Sequence, residues 1–398
     1  MTSTSPSPTT TSPDTTAPDT TAPGTVATFR AAELAVTTAP ATGSDRDVAW
    51  LSPRQAPFEV AGFGWFAEEG VYRRLPQRSP WPLRPEVDRK ADATAGGQLR
   101  FTTDSTVLAV RMSLTGAPTM NQMAPTGQAG VDAYVSEQNA DGSWTEPRFW
   151  AVARPAVDAA EYERVLLPAI PAPAHGLRMI TLNLPLYLGV TEVEVGLAPE
   201  SQVAAPRPFA VPGRVVFYGT SITTGGCATR PGMTYPSILG RRLDQEVINL
   251  GFPGDGKGDP EVARLLGQLD DVACHVLDYE TNVLETEKVR TTLTDFIPIL
   301  REARPEVPIL VITKARCARE AYDAEQVRSR LERRDIQLEI VERHRAAGDE
   351  HVHFLDLGHL DMAAGTVDGL HPTDLGFTWY ADAIEPKLRR ILGGDTSR

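Results

Sequence analysis

Cysteine is scarce in this chain: Cys227, Cys274 and Cys317 are the only three in 398 residues. An odd, widely spaced set gives no disulfide framework, and with no Cys-x-x-Cys pair it supports neither a zinc site nor a dithiol redox site. Cys274 lies in an apolar run and reads as a small buried hydrophobe. Cys227, on the loop after Ser221, reads as a plain loop residue. Basic charge is also short, with 39 Lys and Arg against 52 Asp and Glu and a net charge of −13. Phosphate binding needs a basic footprint, so nucleic acid is excluded as the main partner, and an anionic membrane surface is disfavoured. The acidic excess reads as solubility. No apolar run approaches the ~20 residues of a membrane span. The N-terminus lacks the basic residues and apolar stretch of a signal peptide, so a cytoplasmic protein is expected.

What is present is ordinary globular material: 41% hydrophobic and 23% charged, enough to build a core in each of two domains. Residues 1–24 repeat Thr, Ser, Pro and Ala and are expected to form a disordered tail. Residues 25–205 lack helical periodicity. Short β-branched or alternating runs recur there between turn signals: Phe58 to Trp65, Gln98 to Leu114, Gly130 to Val135, Pro147 to Ala153, Tyr162 to Pro168, and a final pair from Leu177 to Leu197. Asn139, Asp141 and Gly142 mark a tight turn. This pattern predicts an antiparallel β-sandwich of jelly-roll type.

After a Pro-rich linker, Ala204 to Pro212, the pattern changes. Over residues 206–398 five short buried strands alternate with helices. The strands are Arg214 to Tyr218, Glu246 to Leu250, Ala273 to Leu277, Pro308 to Thr313 and His353 to Asp356. Such alternation predicts an α/β domain with a parallel five-stranded, flavodoxin-like sheet, whose chemistry lies at the carboxyl ends of the strands.

The chemistry-bearing residues stand at those ends. Ser221 follows the first strand in Gly219-Thr220-Ser221-Ile222-Thr223, where backbone N–H groups can hold an oxyanion. Asp368 precedes His371 by three residues, in a loop before the last helix. The carboxylate can reach one ring nitrogen and leave the other free to take a proton from serine. The blander reading, a turn serine and a capping aspartate, is outweighed by order, spacing and junction placement together. The motif is not the Gly-x-Ser-x-Gly elbow of α/β-hydrolases, because Thr223 stands in the last glycine's place.

Together these blocks resemble the SGNH or GDSL hydrolases. Gly219-Thr220-Ser221-Ile222 stands where the family reads Gly-Asp-Ser, with Thr220 as a departure. Asp368 to His371 matches the family's Asp-x-x-His. The glycine block is Asn249-Leu250-Gly251-Phe252-Pro253-Gly254-Asp255. By this resemblance Gly254 supplies an oxyanion-hole N–H beside that of Ser221, and the Asn282 side-chain amide supplies a third donor. The asparagine block departs from Gly-x-Asn-Asp, reading Glu280-Thr281-Asn282-Val283. In the N-terminal half, Gly62-Phe63-Gly64-Trp65, Arg74-Leu75-Pro76 and Gly130-Val131-Asp132-Ala133-Tyr134 resemble the β-sandwich that precedes some bacterial SGNH domains. Ala133 stands there for the usual leucine.

The resemblance implies a serine enzyme that attacks a small-molecule ester or thioester through an acyl-Ser221 intermediate, with no metal or organic cofactor. Ester hydrolysis is the leading expectation. O-acyl transfer from a thioester such as acyl-CoA to a hydroxyl of a natural product or sugar is the alternative. A non-catalytic carbohydrate-binding protein, with Trp144 or Trp150 exposed on the sandwich, is the reading from a different class. Gly254, Gly256 and Gly258 do not make a phosphate loop, since Lys257 is followed by glycine. His351, His353 and His359 lack a partnering Cys or Glu set and read as solvated or structural. Asp132 and Tyr134 read as fold-determining. Asp278, Tyr279 and Glu280 end the third strand, with a cleft-lining and a plain strand-end role both open. Oligomeric state is not legible.

Overall fold

A computed structural model of the chain describes Met1, residues 27–42 and residues 47–393. The tail expected over residues 1–24 lies, apart from Met1, outside the described residues.

Among the described residues as far as 205 there are twelve strands: β1 (Thr28–Arg30), β2 (Thr37–Pro40), β3 (Asp47–Leu51), β4 (Glu59–Ala61), β5 (Gln98–Thr103), β6 (Leu108–Leu114), β7 (Asp132–Ser136), β8 (Arg148–Val152), β9 (Glu161–Leu167), β10 (Arg178–Asn183), β11 (Val190–Leu197) and β12 (Gln202–Ala204). They form two antiparallel sheets. One runs β1-β12-β5-β10-β7-β8, with β4 on β5; the other runs β2-β3-β11-β6-β9. Leu99, Phe101, Val110, Leu182 and Val195 from both sheets share one core, which makes the pair a β-sandwich. Among the described residues four short helices decorate it: α1 (Ala31–Leu34), α2 (Phe66–Glu69), α3 (Pro85–Lys90) and α4 (Pro125–Gln128).

Two details differ from the sequence reading. The run Gln98 to Leu114 is two strands in different sheets, and the expected final pair, β10 and β11, is likewise divided between the sheets. Phe58 to Trp65 is strand only over β4. Gly62 leaves it with φ +83, and Phe63 turns into the core. The turn at Asn139 to Gly142 forms as expected, with Gly142 N–H donating to Asn139 O.

The C-terminal part is a parallel sheet of β13 (Arg214–Gly219), β14 (Glu246–Gly251), β15 (Val272–Asp278), β16 (Ile309–Ile312) and β17 (Val352–Leu355). The order is β14-β13-β15-β16-β17, the 2-1-3-4-5 order of a flavodoxin-like fold. Its helices are α5 (Ser221–Thr224), α6 (Tyr235–Leu243), α7 (Pro260–Gln268), α8 (Thr286–Ala303), α9 (Ala324–Ala346) and α10 (Asp374–Ile391). Alternate residues of β13 face opposite layers. Val216 and Tyr218 pack with residues of α7, α8 and α9, while Val215 and Phe217 pack with α6 and α10. Burial on both faces explains why these strands read as unbroken apolar runs.

The sandwich and the parallel sheet meet along the β14 side. Gly96, at φ +87, comes so close to Asn249 that a Cβ would sit 2.7 Å from the asparagine Cβ. Asp132, wholly buried, accepts from Asn183 Nδ2 (2.7 Å) within the sandwich, and from Arg230 Nη1 (2.9 Å) and Gly232 N–H (2.8 Å) across the seam.

Candidate active site

Strand β13 ends at Gly219, and Thr220 caps the single turn that follows. Its Oγ1 accepts from Ile222 N–H at 3.2 Å, and its own N–H donates to Thr223 Oγ1 at 3.1 Å. This reciprocal cap holds Ser221 as the first residue of α5. The Ser221 Oγ lies 3.0 Å from His371 Nε2, and His371 Nδ1 lies 2.7 Å from Asp368 Oδ2. The other carboxylate oxygen, Oδ1, accepts the backbone N–H of Leu370 (3.0 Å) and of His371 (2.7 Å). One aspartate thus shapes its own loop and orients the ring it faces. Burial tends to raise the Asp368 carboxyl, but the hydrogen bonds from His371 and Leu370 outweigh it and hold the group below the ordinary carboxylate range. An ionised Asp368 keeps the ring proton on Nδ1 and leaves the Nε2 lone pair toward serine. The site is open: the His371 side chain is 25% exposed and that of Asp368 40%.

The loop after β14 closes the other side. Phe252 N–H donates to Gly219 O at 3.0 Å, which seats the loop against the turn that carries Ser221. Gly254 stands exposed at φ +73, and a Cβ placed there would meet nothing within 4 Å. Neither Gly254 N–H nor Ser221 N–H has an acceptor among the described residues. Asn282 lies on the 3-10 turn Glu280–Asn282 after β15. Its amide donates to Phe252 O at 3.1 Å, an oxygen that also accepts Asp255 and Gly256 N–H at 2.9 Å each. The five residues singled out in the sequence therefore lie on the loops after β13, β14, β15 and β17. Ser221, His371 and Asp368 are in direct contact, and Asn282 grips the base of the glycine loop.

Beneath Ser221 sits a group whose role the sequence left open. Asp278 is buried, and its Oδ2 accepts from Tyr235 OH (2.8 Å) and Thr223 Oγ1 (3.2 Å). Burial pushes this carboxyl up to about 7, against the opposing pull of those two hydrogen bonds. Glu280 is also buried, and desolvation raises it as well. Cys227 is buried beside the loop that carries Asp368 and His371, and burial, aided by Asp368, pushes its thiol up to about 11, so it stays protonated at neutral pH.

Sequence reasoning missed the support that the sandwich gives this site. Arg74 is fully buried. It donates to Ala93 O and Lys90 O on its own side and to Asn249 O and Gly251 O across the seam, with its guanidinium 4.9 Å over the Phe252 ring. Arg84 bonds Asp255 and Asp259, and Lys90 bonds Pro253 O and Asp255. Arg74 stood out in the sequence only as part of a motif, and nothing local signals contacts that reach so far along the chain. A cavity of about 400 Å³ flanks this seam, reaching Tyr187, Thr224 and Pro253. Trp150 and Phe149 on β8 are exposed, at 50% and 42%. Among the described residues there is no group of three or more His, Cys, Asp and Glu that could hold a metal ion. Nor is any described helix long and apolar enough to cross a membrane.

Residues 213–389 match the GDSL-like lipase/acylhydrolase family. Residues 48–203 match the family of N-termini of SGNH-hydrolase-type esterases named GxDLY. No curated protein matches the chain. Among solved structures, a putative GDSL-like lipase from Bacteroides ovatus superposes with a TM-score of 0.77 at 26% identity, covering 87% of this chain and 98% of the other. A salicylyl-acyltransferase from a tetracycline biosynthetic pathway superposes at 0.68 with 22% identity, over 88% of this chain and 99% of the other. A family two carbohydrate esterase from Cellvibrio japonicus gives 0.55 at 15%, over 87% and 98%.

Proposed function

We propose that this chain, an enzyme whose residues 213–389 form a GDSL-like lipase/acylhydrolase domain, cleaves carboxylic esters or thioesters through an acyl-Ser221 intermediate that water resolves. The observation that supports this reading is the contact chain Ser221 Oγ, His371 Nε2, His371 Nδ1, Asp368 Oδ2 at 3.0 and 2.7 Å.

In the first step His371 Nε2 takes the serine proton as Oγ bonds to the carbonyl carbon. Asp368 stabilises the imidazolium, and the carbonyl oxygen becomes an oxyanion. Ser221 N–H and Gly254 N–H are its donors, with the Asn282 amide as the third. Collapse of the tetrahedral species breaks the bond to the alcohol or thiol, which leaves with the proton from His371. Water then bonds to the acyl carbon as its proton passes to the same nitrogen, and His371 returns that proton to Ser221 Oγ as the acyl bond breaks, which releases the acid and free Ser221. The openness of the site favours water over a sequestered acceptor: a transferase must exclude water from the acyl-enzyme, and here the histidine is a quarter exposed.

Exposed Trp150 is compatible with a sugar-binding sandwich, but such a role leaves the serine–histidine contact without use. Intact-mass spectrometry after exposure to p-nitrophenyl esters and acyl-thioesters tests the proposal. A mass gain on the wild type and none on Ser221→Ala is expected, decaying in buffer alone. Decay only on adding an alcohol would replace hydrolysis by O-acyl transfer, with a thioester such as acyl-CoA as donor. Neither adduct nor turnover across the panel would refute the acyl-enzyme.

A further inference from the structure

The glycine loop is held from outside its own domain, and one of those contacts falls on the peptide that matters most. The carbonyl of Pro253 and the N–H of Gly254 belong to a single peptide plane. The bond is trans, and in a trans peptide the C=O and N–H point in opposite directions. Whatever grips the carbonyl oxygen therefore aims the N–H. Lys90, the last residue of α3, donates from Nζ to Pro253 O at 2.6 Å. At the other end of the plane, Gly254 N–H has no acceptor among the described residues.

We infer that Lys90, a residue of the β-sandwich, is a positioning residue of the oxyanion hole: it fixes the Pro253–Gly254 peptide plane and polarises its N–H toward the oxyanion that forms on Ser221 acylation. The inference rests on the proposed acyl-enzyme chemistry.

Two effects combine. Orientation comes first. A glycine with φ +73 and open space where a Cβ would stand has no side chain to hold its peptide, so an external grip on the carbonyl replaces what packing would do. Polarisation is the second. A cation at the carbonyl oxygen draws electron density through the amide and makes the N–H a stronger donor. A donor already aimed and polarised needs no reorganisation when the oxyanion develops.

The lysine is itself anchored. It also bonds Asp255, which Arg84 holds from the same domain at 2.9 Å. Lys90 and Arg84 outweigh the burial of Asp255 and keep its carboxyl down at about 2, so the anion that locates the ammonium stays charged through the working pH range. The backbone carbonyl of Lys90 is in turn fixed by buried Arg74. Arg89, the neighbouring residue, pairs instead with Glu86 at 2.6 Å and is exposed, so the helix end is not a diffuse basic patch in which either cation would serve.

The experiment compares full-length wild type, Lys90→Met, Lys90→Arg and Asp255→Asn. It measures kcat and KM on p-nitrophenyl acetate, the Ki of a boronic acid that forms a tetrahedral adduct on serine, and the thermal midpoint. Lys90→Met is expected to lower kcat ~10- to 100-fold, part of the loss typical of removing an oxyanion donor outright. KM should move less than about threefold, and the boronate Ki should weaken in parallel with kcat. Lys90→Arg should recover most of the rate. Asp255→Asn keeps an amide oxygen that can still accept from Lys90 Nζ, so the ammonium keeps its place at the Pro253 carbonyl, and this variant should lose much less. The inference is overturned if Lys90→Met keeps kcat within twofold, if its loss is confined to KM, or if Asp255→Asn costs as much as Lys90→Met, since the lysine then serves only to anchor the loop. Should Lys90→Met fail to fold, Lys90→Gln makes the same comparison. A wild type that forms no acyl adduct would instead refute the function itself, whatever the variants do.

Discussion

Asp278→Asn should make the protein's stability less sensitive to a rise in pH from about 4 to about 7. The carboxyl lies buried under the turn that carries Ser221, with no cation in contact among the described residues; its Oδ2 accepts two hydroxyl donors, Tyr235 and Thr223. Its proton affinity rises from the ordinary 3.8 to about 7. At about 1.4 kcal/mol for each tenfold change in proton affinity, that rise amounts to about 4 kcal/mol. The folded-state value lies above the unfolded one, so folding favours the neutral form. The contribution is complete below about pH 4 and is lost as pH rises through about 7. An asparagine keeps an oxygen for the two hydroxyls and never ionises. Urea unfolding of wild type and variant, followed by tryptophan fluorescence from pH 4 to 8, isolates the effect, because every titration that the two proteins share cancels in the difference. The variant should gain on the wild type by about 4 kcal/mol across that range. A difference that stays flat to within about 1 kcal/mol would refute the reasoning and mean that water or a relaxed side chain solvates the ionised carboxylate.

Asp368→Asn should lower kcat on p-nitrophenyl acetate about 10³-fold or more, since an amide facing Nδ1 no longer holds the productive tautomer; a loss below tenfold would remove Asp368 from the catalytic set. Asn282→Ala should cost on the order of a hundredfold, expressed in kcat and not in KM, if the amide serves the oxyanion. Asp132→Ala strips a wholly buried acceptor from Arg230 and should cost about 3–5 kcal/mol in urea titration. Asp132→Asn, which can still accept, should cost clearly less. Iodoacetamide at pH 8 should leave Cys227 unlabelled in the folded protein, because its thiol is held at about 11 and the thiolate is the reactive form; rapid labelling there would contradict that environment.

The parallel sheet is the most legible part of the sequence, because strands covered on both faces leave unbroken apolar runs between helices. The sandwich is harder. β2 reads Thr-Thr-Ala-Pro with no buried residue, β3 is buried along four successive positions, and β1 and β12 are three residues each. None of these gives the alternation that marks a half-buried strand. Ser221, Asp368 and His371 stand out because each sits in a short local motif at a strand end, and the fold brings their side chains into contact. Asp132 is readable as fold-determining, but its partners Arg230 and Gly232 are not, since they lie on a loop of the other layer. Lys90 is less visible still. A lysine closing a helix is what the helix dipole favours anyway, and its carbonyl partner lies 163 positions away.

The guanidinium of Arg74 has consequences for the order in which the molecule is made. Its four carbonyl acceptors are divided between the sandwich, at Lys90 and Ala93, and strand β14, at Asn249 and Gly251. Domains generally fold as units, the N-terminal one first during synthesis, so the sandwich emerges from the ribosome while half of those acceptors have yet to be translated. Until β14 arrives, this arginine sits at a surface that water must solvate. Its final burial, with no part of it exposed, comes only when the second layer docks. The nascent sandwich thus carries a polar placeholder that keeps the unfinished seam hydrated, and the same group becomes the bolt that closes it.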